Sequence, residues 1–330
     1  MIRSPIGRST VVRVLDGGMG VLLPKLGVPK DPIIWSARAL VDEQNHPLVV
    51  RAHRQFIDAG ATAIITNSYS VIPGYLRKAD MVDRAPALAA LAAGLAREAA
   101  GARGAGCSAM VLGSLPPLVE SYRADLLLPE DEAVGWYAML ARAMVRDVDH
   151  FICETMSCPA EATAAIRGVA KGAPDAKAWV CFTVDSEGRC RDGTPFNLAV
   201  RALMTFPNIV SGIGVNCCMP EAVEPAMSAL ESDVEASSFA AGVERVVYAN
   251  AYPKSHSEGL EYSTEDFDDE AVREDLNAQR YAEVAATWAN RKTLPFTTVG
   301  GCCGILPHHI EQVAATLKAI GSASVDRPAH

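Results

Sequence analysis

Short apolar runs rich in β-branched residues recur along this chain, and between them apolar positions fall three or four residues apart. The runs predict eight strands: Val11–Leu15, Ala63–Thr66, Ala109–Leu112, Phe151–Cys153, Ala178–Thr183, Ile209–Val215, Arg245–Ala249 and Phe296–Val299. The helical stretches carry clear start signals. Pro47 precedes a periodic segment that Gly60 should stop, and Pro129 is followed by Glu130, Asp131 and Glu132, acids that favour a helix N-terminus. Pro159, Pro195, Pro220 and Pro307 open further helices, the last with Ile310, Val313, Ala314, Leu317 and Ile320 on one face and Gly321 as its stop. Strands alternating with helices imply βα units and a parallel sheet. Eight of them predict an α/β fold of the (β/α)8 TIM-barrel type, with a doubly wound open sheet as the alternative.

Composition narrows this further. The 330 residues, 49% of them apolar, suit a barrel of about 250 residues with insertions. No internal repeat or low-complexity linker divides the chain, so residues 1–330 read as one domain. No run of 18 apolar residues is present, and the most apolar tract, Ala87–Ala96, leads into Arg97 and Glu98 as a helix would. A membrane partner is therefore not expected. The N-terminal stretch holds Arg3, Arg8 and Arg13 without an apolar core, so it does not read as a signal peptide. Nine cysteines without framework spacing predict reduced thiols and a cytoplasmic location, and a net charge of −9 argues against nucleic acid. Two stretches depart from the pattern. An acidic insertion at about 253–280 carries nine acids and one base between Glu258 and Asp275, and reads either as a lid or as a solvated loop. The tail 322–330 lacks any pattern and is expected to be disordered.

Two strand ends carry cysteines in the same grammar. Ile213-Gly214-Val215-Asn216-Cys217-Cys218 and Val299-Gly300-Gly301-Cys302-Cys303-Gly304 each end an apolar run, and each precedes a helix-opening proline. Adjacent side chains in a regular strand face opposite ways, but glycines let the backbone turn where the strand stops. Inert buried cysteines are one reading. The other is a metal held by thiolates: three ligands drawn from two strand ends would leave a fourth position open, as at a catalytic zinc.

These motifs resemble those of the homocysteine S-methyltransferase family, which carries Gly-x-Asn-Cys and Gly-Gly-Cys-Cys-Gly. The resemblance spans residues 11 to 320. It includes Leu15-Asp16-Gly17-Gly18-Met19-Gly20, with Val21 where threonine is common, and Trp35-Ser36-Ala37, Gly60 to Tyr69, Gly113-Ser114, Glu154-Thr155 and Asp192-Gly193-Thr194-Pro195. The segment 250–280 matches less well. The resemblance implies a TIM barrel and a zinc cofactor held by Cys217, Cys302 and Cys303, with Cys218 turned away. It also implies that Asp16, Gly17 and Glu154 hold the amino-acid part of homocysteine, and Asn67, at the second strand end, is grouped with these substrate contacts. Read locally, Asp16 could equally cap a tight turn, and Glu154 could pair with a neighbouring helix.

The implied activity is transfer of a methyl group from a small onium donor to homocysteine, giving methionine, with small molecules as the partners. A centre ligated only by thiolates is a poor Lewis acid for hydrolysis, and no His-Glu-x-x-His motif is present. S-methylmethionine is the expected donor, with betaine or S-adenosylmethionine as alternatives. No basic residue at a strand end presents itself for betaine's carboxylate. Trp35, Tyr69 and Tyr122 could each hold an onium cation or serve as packing. A thiol-based redox or metal-sensing protein is the alternative from another class.

Overall fold

The computed structural model describes residues 12–103, 108–253 and 272–325, with side chains described only to residue 320. Eight parallel strands are found: β1 Arg13–Val14, β2 Ala63–Ile65, β3 Met110–Leu115, β4 His150–Met156, β5 Ala178–Phe182, β6 Val210–Asn216, β7 Glu244–Ala249 and β8 Thr298–Gly301. They run in the order β1-β8-β7-β6-β5-β4-β3-β2. The parallel bridge Leu15↔Ala63 then joins β1 to β2 and closes the ring. The fold is therefore the expected (β/α)8 barrel rather than the open sheet.

The strand residues alternate between two environments, as a barrel requires. Leu15, Ala63, Leu112, Ile152, Trp179, Cys181, Val246 and Tyr248 fill the interior, and a larger apolar layer packs between the strands and the surrounding helices. Space inside is rationed by glycine: a Cβ on Gly212 would sit 2.5 Å from the Trp179 ring.

The proline signals hold. Helices begin at Pro159 and Pro307, and Pro47, Pro129, Pro195 and Pro220 lie at or next to the first position of theirs. Gly60 stops the helix His46–Asp58 in a left-handed conformation, φ +101°. Gly321 is different: the final helix runs through it to Val325, which corrects both the expected stop and a structureless tail from 322. A glycine within a helix costs only about 1 kcal/mol relative to alanine, too little to end one alone. Residues 326–330 lie outside the described residues, as do 254–271 of the acidic insertion. The insertion's last residues form the turn Glu274–Leu276 and the start of the helix Ala278–Ala289, capped by Asn277. No helix among the described residues is long and apolar enough to cross a membrane.

Candidate metal centre

Functional groups of such barrels gather at the C-terminal ends of the strands, and here β6, β7 and β8 build one edge together. The end of β7 acts as a rail for both cysteine loops. Cys217 N–H donates to the Tyr248 carbonyl at 3.1 Å, and Cys302 N–H to the Ala249 carbonyl at 2.9 Å. Beyond them, Asn250 N–H reaches the Cys218 carbonyl and Ala251 N–H the Cys303 carbonyl. From behind, the buried Tyr281 hydroxyl donates toward the carbonyls of Ala249 (3.0 Å) and Gly300 (2.8 Å).

On this rail the strand pattern is broken where the sulfurs must turn. Cys217 follows β6 with φ +47°, a left-handed conformation that few non-glycine residues adopt. Gly304, φ +79°, reverses the chain after Cys303. The Cys217 sulfur lies 3.8 Å from that of Cys303, which is 3.9 Å from that of Cys302. All three fall within 4.8 Å of one another. A tetrahedral zinc about 2.3 Å from each thiolate requires sulfurs about 3.8 Å apart, and the two separations that involve Cys303 match it. Hydrogen bonds from Cys302 and Cys303 hold the Cys217 thiol well below its usual pKa, while those two thiols are raised by sharing that charge. Cys218 is fully buried in the outer apolar layer, its thiol pushed up to about 12 by burial.

The residues expected to meet the amino acid lie close by. Glu154, in β4, is 5% exposed and accepts from Ser114 Oγ at 2.5 Å and Tyr248 Oη at 3.3 Å. Its partners are thus hydroxyls inside the barrel, and no ion pair to a helix is found for it among the described residues. Burial raises its carboxyl to about 7. Asp16, 2% exposed, accepts from Ile65 N–H at 2.9 Å, and burial lifts it well above the usual carboxylate range, with Glu154 adding to the rise. It caps nothing, since the following helix Met19–Lys25 has Gly18 at its N-cap without a side-chain bond. Gly17 serves a close approach: a Cβ there would stand 2.4 Å from the Ile305 carbonyl oxygen, on the turn that carries Cys302 and Cys303. Asn67 is buried and donates to the Ser36 carbonyl at 3.0 Å, fastening the Trp35–Ala37 turn.

Of the aromatic candidates, Trp35 stacks on Tyr75 with ring centroids 5.8 Å apart, so packing accounts for one of its faces. Tyr69 bonds Ser121 through its hydroxyl at 2.7 Å. Tyr122, itself at φ +65°, brings its hydroxyl to 2.9 Å from the Cys217 sulfur.

Two residues here went unassigned in the sequence. Asn216, fully buried, clamps the turn after Glu154: its Oδ1 accepts from Thr155 N–H at 2.7 Å and its Nδ2 donates to Thr155 Oγ1 at 2.9 Å. Thr155 is thereby held at φ +59°. Arg191 is a base that comes near the cysteines from a loop, although it does not stand at a strand end. It follows β5, and its guanidinium lies 5.0 Å over the Tyr122 ring and donates to Thr183 Oγ1 at 2.8 Å. Thr183 in turn donates to the Cys217 carbonyl at 3.2 Å. Arg191 stands directly before the Asp192-Gly193-Thr194-Pro195 turn, which was the one signal available.

Residues 13–317 match the family profile described as homocysteine S-methyltransferase. The chain is 29% identical over 315 residues to the S-methylmethionine–homocysteine S-methyltransferase BHMT2 of Mus musculus, covering 93% of this chain and 78% of that protein. It is 26% identical over 326 residues to the betaine-homocysteine S-methyltransferase of Drosophila melanogaster, covering 90% and 91% of the two chains. Among solved structures, the oxidised form of the homocysteine methyltransferase MmuM from Escherichia coli superposes with a TM-score of 0.70 at 25% identity, covering 92% of this chain and 95% of that one.

Proposed function

The chain belongs to the homocysteine S-methyltransferase family, and from that premise we propose that it methylates homocysteine with S-methylmethionine as donor, through a site built on Cys217, Cys302 and Cys303. The observation that carries this reading is the cluster of three sulfurs within 4.8 Å of one another at the barrel mouth. Zinc held by these three cysteines would supply a position at which a substrate thiol loses its proton near neutral pH.

The chain's own residues do the rest. Asp16 and Glu154 take the ammonium group of homocysteine and so direct its sulfur to the cysteine cluster. Both are buried with raised pKa, so a cation arriving beside them favours the ionised form that binds it. Gly17 lets the β1 loop lie against the turn at Ile305, and Asn67 holds the Trp35 loop that borders the mouth. The acceptor sulfur attacks the donor methyl carbon in line. A carbon–sulfur bond forms as the carbon–sulfonium bond breaks, and the bonding pair remains on the departing sulfur. With S-methylmethionine both products are methionine. No general base takes part in this step; positioning is what the protein contributes.

The donor assignment rests on charge. A thiolate and a sulfonium become two neutral thioethers, and a mouth that excludes water favours such cancellation. A thioether also leaves more readily than the tertiary amine that betaine would release. The test is methionine formation by zinc-loaded protein from homocysteine with S-methylmethionine, S-adenosylmethionine or betaine, compared as kcat/KM. S-methylmethionine should lead, with S-adenosylmethionine weaker and betaine negligible. A clear preference for betaine refutes the donor, and turnover with none of them refutes the activity. Metal-free protein whose Cys302 and Cys303 oxidise reversibly would favour a redox sensor instead.

A further inference from the structure

We infer that Arg191 recognises the carboxylate of the methyl donor and makes the enzyme selective for onium compounds that carry one; the inference rests on the methyltransferase reading above. Among the described residues the guanidinium is held from two directions. Its Cζ lies over the Tyr122 ring, 5.0 Å from the centroid, and its Nη2 donates to Thr183 Oγ1 at 2.8 Å. Both supports lead to the same cysteine, since the Tyr122 hydroxyl lies 2.9 Å from the Cys217 sulfur and Thr183 donates to the Cys217 carbonyl.

The backbone around it is fastened as well. Antiparallel bridges Val184↔Cys190 and Arg189↔Pro195 fold the loop after β5 on itself, and Arg191 N–H donates to the Ser157 carbonyl at 2.8 Å. The positive charge therefore holds a set position beside the sulfurs rather than sweeping through solvent on a mobile chain. A planar fork of N–H donors is the side chain best matched to a carboxylate.

Depth separates the two substrates. Glu154 belongs to a strand and bonds residues inside the barrel, and Asp16 is equally buried, so the groups that take the acceptor's ammonium lie at the floor. Arg191 is only half-buried and lies in the loop beyond the end of β5, at the rim. An acceptor seated on the floor leaves the rim to the molecule that arrives over it, and that molecule is the donor. Negative charge below and positive charge above also orient an amino-acid donor with its carboxylate outward.

The test compares S-methylmethionine with trimethylsulfonium, which has the same reacting centre and no carboxylate. In Arg191→Gln, kcat/KM for S-methylmethionine should fall about 10- to 100-fold, mostly through KM, the loss expected when a charge-assisted hydrogen bond is removed. The trimethylsulfonium value, homocysteine KM and bound zinc should stay within about twofold. Arg191→Lys keeps the charge but not the fork and should lose less; it also serves if the Gln variant does not fold. An equal fall with both donors overturns the inference, because Arg191 would then support the site generally. A raised homocysteine KM with unchanged S-methylmethionine KM overturns it too, assigning Arg191 to the acceptor. Should wild-type protein turn over neither donor, the methyltransferase reading fails by itself. Calorimetric titration of S-methylmethionine still decides the contact, and equal affinity in wild type and Arg191→Gln refutes it.

Discussion

Replacing Asn216 by alanine should disturb both halves of the site at once. The side chain is fully buried and makes two hydrogen bonds to Thr155, at 2.7 and 2.9 Å. Removing them leaves the Thr155 N–H without its partner in the interior, a loss of about 1–3 kcal/mol. The hydroxyl bond contributes about 1 kcal/mol more. Against this, Thr155 sits at φ +59°, and such a conformation stores about 1–3 kcal/mol that relaxation would return. Two outcomes are therefore open to the variant. If the turn holds, the protein loses about 3 kcal/mol of stability and Glu154 keeps its place. If the turn relaxes, the stability loss shrinks to about 1 kcal/mol, but Glu154 shifts and the homocysteine KM rises by tenfold or more. Urea unfolding of the zinc-loaded protein and the homocysteine KM, measured on one preparation, separate the cases. An Asn216→Ala enzyme within about 0.5 kcal/mol of wild type and with unchanged KM would refute the clamp.

Cys217→Ala, Cys302→Ala and Cys303→Ala should each lose zinc and activity, whereas Cys218→Ala keeps both and loses about 1 kcal/mol of stability for the small cavity it leaves; elemental analysis that finds the metal lost with Cys218 and kept without Cys217 reverses the ligand assignment. Because Glu154 titrates at about 7 and binds a cation only when ionised, homocysteine affinity should improve as pH rises through 7 and weaken by up to about tenfold per unit below it. In Glu154→Gln the KM should be high and should lose this dependence, with zinc content intact, and a normal KM in that variant would return Glu154 to a structural role.

Much of this architecture is legible in local sequence because its signals are local. A proline at a helix start or a glycine at φ +101° acts on its own few residues, so the helices after β1, β3 and β4 can be placed from Pro47, Pro129 and Pro159, and the stop at Gly60 from one glycine. The cysteines are legible for the same reason: Gly300, Gly301 and Gly304 show where the backbone can turn two neighbouring thiols one way. Gly321 shows the limit of such reading, since nothing after it opposes another turn of helix.

What was missed depends on distance along the chain. The hydroxyls that hold Glu154 come from residues 40 and 94 positions away, Ser114 and Tyr248. Asn216 stood in view inside a motif, yet its task exists only because Thr155, 61 residues earlier, takes a left-handed turn. Arg191 reaches Cys217 through Tyr122 and Thr183, and neither contact follows from its neighbours.

The conformational costs of the site sit in separate strands. Thr155, at the irregularity within β4, and Cys217, after β6, are both left-handed, while Glu154 and Asp16 are carboxyls kept from water. Left alone, each would relax by a small movement: the turns toward extended backbone, the acids toward solvent. They are prevented by a common frame. Asn216 ties β4 to β6 across β5, the end of β7 binds both cysteine loops, and Tyr281 braces β7 and β8 from behind. A frame shared in this way couples the cysteine cluster to the buried acids Glu154 and Asp16. Displacing Thr155 frees the residue that precedes Cys217, and loosening the Cys302–Ile305 turn removes the surface on which Gly17 rests. Mutations that touch only one side should therefore show non-additive effects with mutations on the other, because the strain they release is held by the same few hydrogen bonds.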